Sequence, residues 1–404
     1  VKEHIHSLIC QNKATLNSWF SERTAGVYLP FYSSYDIRDS GSKFGVVDGN
    51  IYPAGFNNIC QVDKEQASES TLRFLQERFP KVQNILLVTE DHFKNSFYWE
   101  NVHSIVSFIA ENGIAVRVGM LSKELKEPVE MESFKGSKVL AEPVISIDGQ
   151  LQLDGFVPDL VISNNDFTNA YEEVNFSNTT VIPARELGWF QRRKSNFFNY
   201  YNEHAEQFSS LLGLDPNLFK VQTRLFENFD ITEESSKADL AEKTEEMLSD
   251  LGQYYKKAGI DQKPFLVIKN NSGTYGLAVT KVESGEDVLS WNYKTRKKMK
   301  AAKGGGGVSE LILQEGIPTV VKADADVAEP AIYMIGSELV GGFLRTHSKK
   351  NENESLNSPG AVYKKLCLSD LKFKTGDCLQ ENVYGWVAKL GLLAIVEEAK
   401  KLEL

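Results

Sequence analysis

VIKNNSGTYGLAV, Val267 to Val279, reads as strand, loop, strand. An apolar, β-branched run carries Lys269 into a polar loop of Asn270, Asn271, Ser272, Gly273, Thr274, Tyr275 and Gly276, and a second strand begins at Leu277. Loop glycines let backbone N–H groups come close to an anion, hydroxyls add donors, and a lysine on the adjoining strand supplies a point charge. Together these suit a small lid over phosphate. The stretch is neither G-x-x-x-x-G-K-[ST] nor G-x-G-x-x-G. Taken alone it reads equally as an ordinary hairpin whose turn holds Gly and Asn.

Around this stretch, PFLVIKNN, LAVTKV, LILQEG, AIYMIG and LVGGFLR follow one another with few long helices between them, which predicts an antiparallel-rich α+β unit after Pro264. Earlier in the chain, ESTLRFLQERFP, NILLVTE, WENVHSIVSFIAENG and IAVRVGML alternate helix and strand. Such alternation predicts a parallel sheet. DLVISNND adds a strand that ends in Asn164, Asn165 and Asp166, at the end of an open α/β sheet where ligands bind. Lys2 to Phe20 places Ile5, Leu8, Ile9, Leu16 and Phe20 on one helical stripe. Ile231 to Lys257 is helical, with acidic residues early and lysines late as the macrodipole favours. VYGWVAKLGLLAIVEEAKKLEL predicts an apolar helix, too charged at its end to span a bilayer, that packs against the body.

With 404 residues, 42% of them hydrophobic, the chain can bury one large composite core or two to three smaller ones. A net charge of -10 argues against a general affinity for nucleic acid, so an anionic ligand has to be held by local positive charge. Cys10, Cys60, Cys367 and Cys378 show no C-x-x-C or other metal spacing, and the expectation is free thiols in a reducing compartment. Charges interrupt the first twenty residues too often for a signal peptide or a spanning helix, which predicts a cytoplasmic protein without membrane attachment.

Further constellations carry chemistry. LILQEGIPT puts Gln314 and Glu315 at the end of a strand, where a linker can offer backbone hydrogen bonds to an adenine edge. Glu329 opens one strand, Arg345 closes its partner, and Glu354 and Asn357 lie in the next loop. Oxygens converging in this way suit Mg2+, and Arg345 is then available to neutralise a transferring phosphoryl group. Read singly, Glu329 and Arg345 are a surface hairpin salt bridge, and NENESLNSPG is a solvated loop. Asp36, Arg38, Lys43, Asp48, Asn50, Asn57 and Asn58 offer the mixed charges and amides that recognise a zwitterionic amino acid, with turn chemistry as the plainer account. Arg192, Arg193 and Lys194 form a basic cluster that suits a carboxylate or phosphate, or equally a solvated helix face. WNYKTRKKMKAAKGGGG sets Lys294, Arg296, Lys297, Lys298, Lys300 and Lys303 before Gly304 to Gly307; it reads as a basic flap closing over a triphosphate, or as a plain surface loop.

Taken in order, these parts reproduce the layout of an ATP-grasp nucleotide site, and the chain resembles the glutamate–cysteine ligase family of some proteobacteria, a lineage separate from the plant and enterobacterial forms. The matching segments are SSYDIRDSGSKFGVVDGNIYPAGFNN, ISNNDF, ELGWFQRRKS, VIKNNSGTYGLAV, WNYKTRKKMKAAKGGGG, LILQEGIPT, AEPAIYMIGSELVGGFLRTH and NESLNSPGA, which span nearly the whole chain. The resemblance implies an ATP-grasp-like fold, α/β and α+β: residues 1–200 as a parallel-sheet, substrate-side domain and 201–404 as an antiparallel-rich nucleotide-binding region whose last helix returns to the body. It implies ATP-dependent joining of the glutamate γ-carboxylate to cysteine through an acyl phosphate, the first step of glutathione biosynthesis. Lys269 and Arg345 would act on the phosphates. Lys269, Ser272, Gly273, Thr274, Tyr275, Gly276, Gln314 and Glu315 would hold ATP, and Glu329, Glu354 and Asn357 would hold Mg2+. Arg38, Asp48, Asn50, Asn57, Asn58, Arg193 and Lys194 would meet the amino-acid substrates. Assembly into a homo-oligomer stays open. The competing expectations are another ATP-grasp ligase, such as a glutathione-synthase-like enzyme, and a phosphotransferase to a hydroxyl, whose H-R-D loop is absent here.

Overall fold

The computed structural model describes residues 1–404 except 274–278, 293–294 and 296–308. The central sheet runs β18-β17-β16-β1-β2 and is antiparallel throughout, with β15 (Lys322–Ala323) paired to β16. Its strands are β1 (Tyr32–Asp39), β2 (Phe44–Asn50), β16 (Asp326–Ile335), β17 (Glu338–Thr346) and β18 (Val362–Leu366). β1 is therefore flanked by its hairpin mate and by a strand from the far end of the chain. Asp36 and Asp48 sit directly opposite one another, and between Asp36 and Ile37 the register slips so that Val47 is an extra residue on β2. A bulge of this kind bends the strand and re-aims its neighbours.

The second sheet has the order β10-β9-β3-β4-β6-β5. It is built of β3 (Asn84–Thr89), β4 (Ala115–Met120), β5 (Val129–Glu132), β6 (Lys138–Pro143), β9 (Leu160–Ser163) and β10 (Val181–Ile182), and it is parallel except for β5 against β6. The predicted parallel sheet is present. β3 and β9 are neighbours, so Glu90, just past β3, and Asn164 to Asp166, just past β9, emerge side by side.

The third sheet, β11-β14-β12-β13, is antiparallel and comprises β11 (Thr223–Phe226), β12 (Leu266–Asn270), β13 (Thr280–Val282) and β14 (Leu311–Glu315). With α6 (Glu234–Ala258) and α7 (Gly285–Leu289) it closes a core of its own around Leu240, Met247, Ile268, Trp291 and Leu311, separate from the main core. Two small ribbons, β7 (Ile145–Ile147) with β8 (Gln150–Gln152) and β19 (Lys372–Thr375) with β20 (Cys378–Glu381), complete the strands among the described residues. The remaining α-helices among the described residues are α1 (Lys2–Gln11), α2 (Lys13–Thr24), α3 (Gln61–Arg78), α4 (Ser96–Ala110), α5 (Lys194–Leu212) and α8 (Val383–Lys401).

The last helix, α8, is capped by Asn382, whose side chain accepts from the N–H groups of Tyr384 and Gly385. Sixteen of its nineteen residues are buried, so it runs through the main core between α5 and the central sheet rather than along the surface. No described helix is long and apolar enough to cross a membrane. Some expectations need correction. The single N-terminal helix is two, broken at Asn12, which leaves helical geometry at φ -104° and ψ 15°. α3 begins at Gln61, roughly two turns before ESTLRF. Its early buried positions are Asp63, Ala67, Ser68, Ser70 and Thr71, too small or polar to register as an apolar stripe. The cysteines are not all free thiols: Cys10 of α1 and Cys378 of β20 form a disulfide across a sequence separation of 368, which local spacing cannot reveal. Cys60 and Cys367 remain thiols, their sulfurs 2.6 Å apart.

Two glycines separate packing from propensity. A Cβ on Gly391 of α8 would lie 2.5 Å from two ring carbons of the fully buried Tyr35, whereas one on Gly252 of α6 meets only Pro264 at 3.9 Å. Gly391→Val should lower the unfolding free energy by about 1–3 kcal/mol. Gly252→Ala should raise it by up to about 1 kcal/mol. Urea midpoints measure both, and an unchanged midpoint for Gly391→Val would refute the close seating of α8 on β1.

Candidate functional site

A cavity of about 380 Å³ opens between the central sheet and the four-stranded sheet. Its floor is apolar, with Val47, Phe265, Val267, Val279 and Ile317, and suits a flat ring. Its other end is polar, with Lys269, Asn270, Ser272 and Gly273 from β12 and its loop, Gln314 from β14, and Glu354 and Asn357 from the loop after β17. A second cavity, also about 380 Å³, adjoins it. Both are lined by Asp36, Asp48, Asn357, Ser358 and Pro359, so these residues form a common wall. The second cavity reaches the carboxyl ends of β3 and β9, at Glu90, Asn164 and Asp166.

Two acids and two bases meet at and beside that wall, with Glu329, Arg38 and Arg345 buried and Asp36 partly exposed. The Arg345 guanidinium meets Asp36 at 2.7 and 3.1 Å and Glu329 at 2.7 Å. The other oxygen of Glu329 takes Arg38 Nε at 2.7 Å. Arg38 spends its two terminal nitrogens on the carbonyls of Glu352 and Glu354, at 2.9 and 2.7 Å, and so pins the loop over the cavity. Burial pushes the Asp36 carboxyl up, with Arg345 pulling the other way. Glu329 is also buried, but Arg38 and then Arg345 overcome that and hold it below the usual range. Like charges facing across a ladder repel, and Asp36 and Asp48 tolerate it because each has its own cation. For Asp48 this is Lys194, at 2.6 Å, which with Lys269 lowers the carboxyl against the opposing effect of burial.

Lys269 Nζ donates to the bulge carbonyl of Val47 at 2.7 Å and to Gln314 Oε1 at 2.6 Å. Burial lowers its pKa to about 8, with Asp48 opposing and Lys194 assisting. Gln314 Nε2 is buried without a partner among the described residues, a donor left for a ligand. Glu315 points elsewhere: its carboxylate takes Lys43 Nζ at 2.6 Å, Tyr255 OH at 3.0 Å and Gln222 N at 3.2 Å. The N–H groups of Glu315 and Gly316 are spent on Gln222 and Phe265 carbonyls, so neither is available to an adenine edge.

The structure gathers most of the sequence candidates. Lys269, Ser272, Gly273, Gln314, Glu315, Glu329, Glu354, Arg38 and Lys194 line the first cavity, Asn50, Asn58 and Arg345 the second, and Asp48 and Asn357 both. Asn57 and Arg193 line neither: Asn57 donates to Asn58 Oδ1 at 3.1 Å, and Arg193 pairs with Glu310 at 3.1 Å. Arg192 is buried against Glu398 beneath the site. His347 is held by Pro359 O and Lys349 N. Thr274, Tyr275, Gly276 and the basic flap of Lys294, Arg296, Lys297, Lys298, Lys300, Lys303 and Gly304 to Gly307 lie outside the described residues. Sequence reasoning gave no role to Glu90, Tyr98, Lys281 or Lys350, all lining residues. The strand-end rule that singled out Asp166 would have found Glu90 at the end of NILLVTE.

The oxygen donors proposed for a metal do not close on one point by themselves. Among the described residues the tight group of candidate ligands is Cys60, Asp63 and Cys367, away from either cavity. Glu329, Glu354 and Asn357 are nevertheless hard donors along one cavity; the Glu329 oxygens also serve Arg345 and Arg38 and those of Glu354 serve Lys350 Nζ at 2.8 Å and Asn351 N at 3.0 Å, so a small hard cation fits here by taking most of its shell from ligand phosphates.

The glutamate–cysteine ligase family profile matches residues 6–399. A crystal structure of a protein from Methylobacillus flagellatus KT, provisionally described as a gamma-glutamylcysteine synthetase, superposes with a TM-score of 0.89 at 32% identity, over 98% of this chain and 96% of that one. D-alanyl-alanine synthetase A of Vibrio cholerae O1 gives a TM-score of 0.38 at 11% identity over 78% of this chain and 81% of its own. A glutathione synthetase-like effector of Globodera pallida gives 0.40 at 12% over 90% and 84%. No curated protein sequence matches significantly.

Removing one acid from the buried network leaves Arg38 and Arg345 facing a neutral group. Glu329→Gln should therefore lower the unfolding free energy by about 3 kcal/mol or more. Chemical denaturation reads it, and a loss below roughly 1 kcal/mol, the scale of an exposed pair, would show that Glu329 does not hold the network together.

Proposed function

The chain belongs to the glutamate–cysteine ligase family, and from that premise we propose how its two cavities divide the work of an ATP-dependent ligation. The enzyme is a ligase that joins glutamate to cysteine. In our reading the first cavity takes ATP, with the purine on Val47, Phe265 and Ile317 and the phosphates toward Lys269, Ser272 and Gly273. The second takes the amino acids. The glutamate γ-carboxylate attacks the γ-phosphorus and ADP leaves; the cysteine amine then attacks the acyl carbon, phosphate departs, and the amine gives up a proton. No protein nucleophile is needed, so the chain contributes position and charge. The observation that carries this reading is the wall shared by the two cavities, which brings a phosphate chamber and an amino-acid chamber together at Asp36, Asp48 and Asn357.

Within that reading Lys269 offsets charge on the α- and β-phosphates, and Gln314 supplies its unpartnered N–H. Arg345, already oriented by Asp36 and Glu329, faces the charge that builds up on the transferring group. Glu329, Glu354 and Asn357 would hold Mg2+, which, when bound, screens the phosphate oxygens. The loop pinned by Arg38 keeps water from the acyl phosphate. We place the reaction in the cytoplasm, where ATP and reduced cysteine are available, and leave self-association open.

Two measurements test the proposal. ADP release in the presence of Mg-ATP should require glutamate and cysteine together, with the dipeptide identified by mass; release only with γ-glutamylcysteine plus glycine would transfer the nucleotide reading to a different acceptor. The pH dependence follows from Lys269. Its ammonium form binds phosphate and its pKa in the free protein is about 8, so ATP affinity is full below that pH and falls as the proton is lost above it. The apparent Kd for ATP should rise about tenfold per pH unit above the inflection, since each unit cuts the protonated fraction tenfold. Lys269→Arg, charged throughout, should abolish the inflection. An inflection that persists in Lys269→Arg would remove Lys269 from the phosphate site.

A further inference from the structure

The second cavity has two poles. At the wall shared with the first cavity stands Arg345, whose Nε is buried and has no partner among the described residues although both terminal nitrogens are engaged. At the carboxyl ends of β3 and β9 stand Glu90 and Asp166, 5% and 4% exposed. Their placement is fixed. The backbone N–H of Asp166 donates to Glu90 Oε1 at 3.0 Å, and Asp166 Oδ1 is turned by Thr168 N and Oγ1 at 2.9 and 2.8 Å. Tyr98 OH takes the N–H of Glu90 at 2.9 Å and donates to the carbonyl of Asn164 at 3.2 Å, which locks the two strand ends together. Arg345 is the one basic side chain among the described residues lining this cavity. A ligand lying along it therefore meets the one unspent N–H of Arg345, beside Asp36 and Asp48 at the shared wall, and a carboxylate pair at the carboxyl ends of β3 and β9.

We infer that Glu90 and Asp166 form the subsite for the α-ammonium group of the donor amino acid, whose side-chain carboxylate is thereby presented at Arg345. The inference rests on the two-cavity reading above and adds an orientation to it. An ammonium offsets the Glu90 and Asp166 carboxylates and the remaining Arg345 Nε–H can take a carboxylate oxygen, which suits an α-amino acid bearing a second carboxylate over a plain dicarboxylate, whose far carboxylate would meet Glu90 and Asp166 with no ammonium to offset them. The subsite thus selects the donor by its amine, although the amine takes no part in the bond being made.

The test compares glutamate with glutarate, the same dicarboxylate without the amine, as donor in ADP release with saturating cysteine. The wild type should favour glutamate strongly in kcat/KM. Glu90→Gln and Asp166→Asn should each raise KM for glutamate at least tenfold and shrink the glutamate-to-glutarate ratio by a similar factor, with KM for ATP and for cysteine within twofold of wild type. An unchanged ratio in the variants would overturn the subsite and leave the ligase reading standing, and a rise confined to KM for cysteine would overturn it by assigning the subsite to the acceptor. Absence of ADP release by the wild type with glutamate plus cysteine would overturn the function itself. Should either variant fail to fold, wild-type melting with a non-hydrolysable ATP analogue decides: stabilisation by glutamate and not by glutarate is expected, and equal stabilisation by both would refute the subsite.

Discussion

Everything at the centre of this molecule depends on one buried exchange of charge, in which Arg345 is shared between Asp36 and Glu329, and Glu329 between Arg345 and Arg38. Two acids and two bases give no net charge, but removing each from water costs several kcal/mol, which mutual attraction has to offset. Such a group adds little net stability. Its geometric yield is larger, because it ties β1, β16, β17 and the loop beyond β17 to one point between two cavities. An arginine held from both sides cannot swing, and a charge that needs no reorganisation is the kind that stabilises a transferring phosphoryl group.

The four-stranded sheet is mounted differently. β11 to β14 with α6 and α7 have their own apolar core, while Ile312 of β14 packs into the main one. Lys269 reaches from β12 to the extra residue on β2. That bulge therefore has two consequences: Val47 offers its carbonyl to the lysine, and Asp48 is turned toward Lys194 and the cavity wall. One irregular residue on a strand couples the two units beside the wall that the two cavities share.

Much of this was legible in the sequence, and the boundary of what was legible has physical causes. Alternation of helix and strand exposed the parallel sheet, and strand ends located Asp166, because both signals are local. The strands carrying Lys269, Gln314, Glu329 and Arg345 were visible for the same reason. Their partners were not. Arg38 was read as a substrate ligand from its residue type, yet its guanidinium is spent on Glu329 and two carbonyls supplied from more than 290 positions away. Glu315 was read as part of a nucleotide linker, and its side chain is held by Lys43 and Tyr255 instead. The Cys10–Cys378 bridge joins opposite ends of the chain, and α3 hides its first turns behind buried Ser and Ala. Pairings that depend on distant segments leave no periodicity to read.

The pairing of β1 with β16 also sets a schedule. At about 5–20 residues per second, a ribosome needs roughly fifteen seconds to a minute to make the ~300 residues between Tyr32 and its partner Ile335. Through that interval the β1–β2 hairpin waits with one edge open, and Tyr35 lacks the helix that will cover it. Asp36 and Arg38 remain hydrated meanwhile, which keeps the waiting edge soluble. Only when β16, β17 and α8 arrive are the charges dehydrated and matched, so the charge network comes into being late, as a single closing event, and a nascent chain stalled short of β17 has no Arg345 with which to make it.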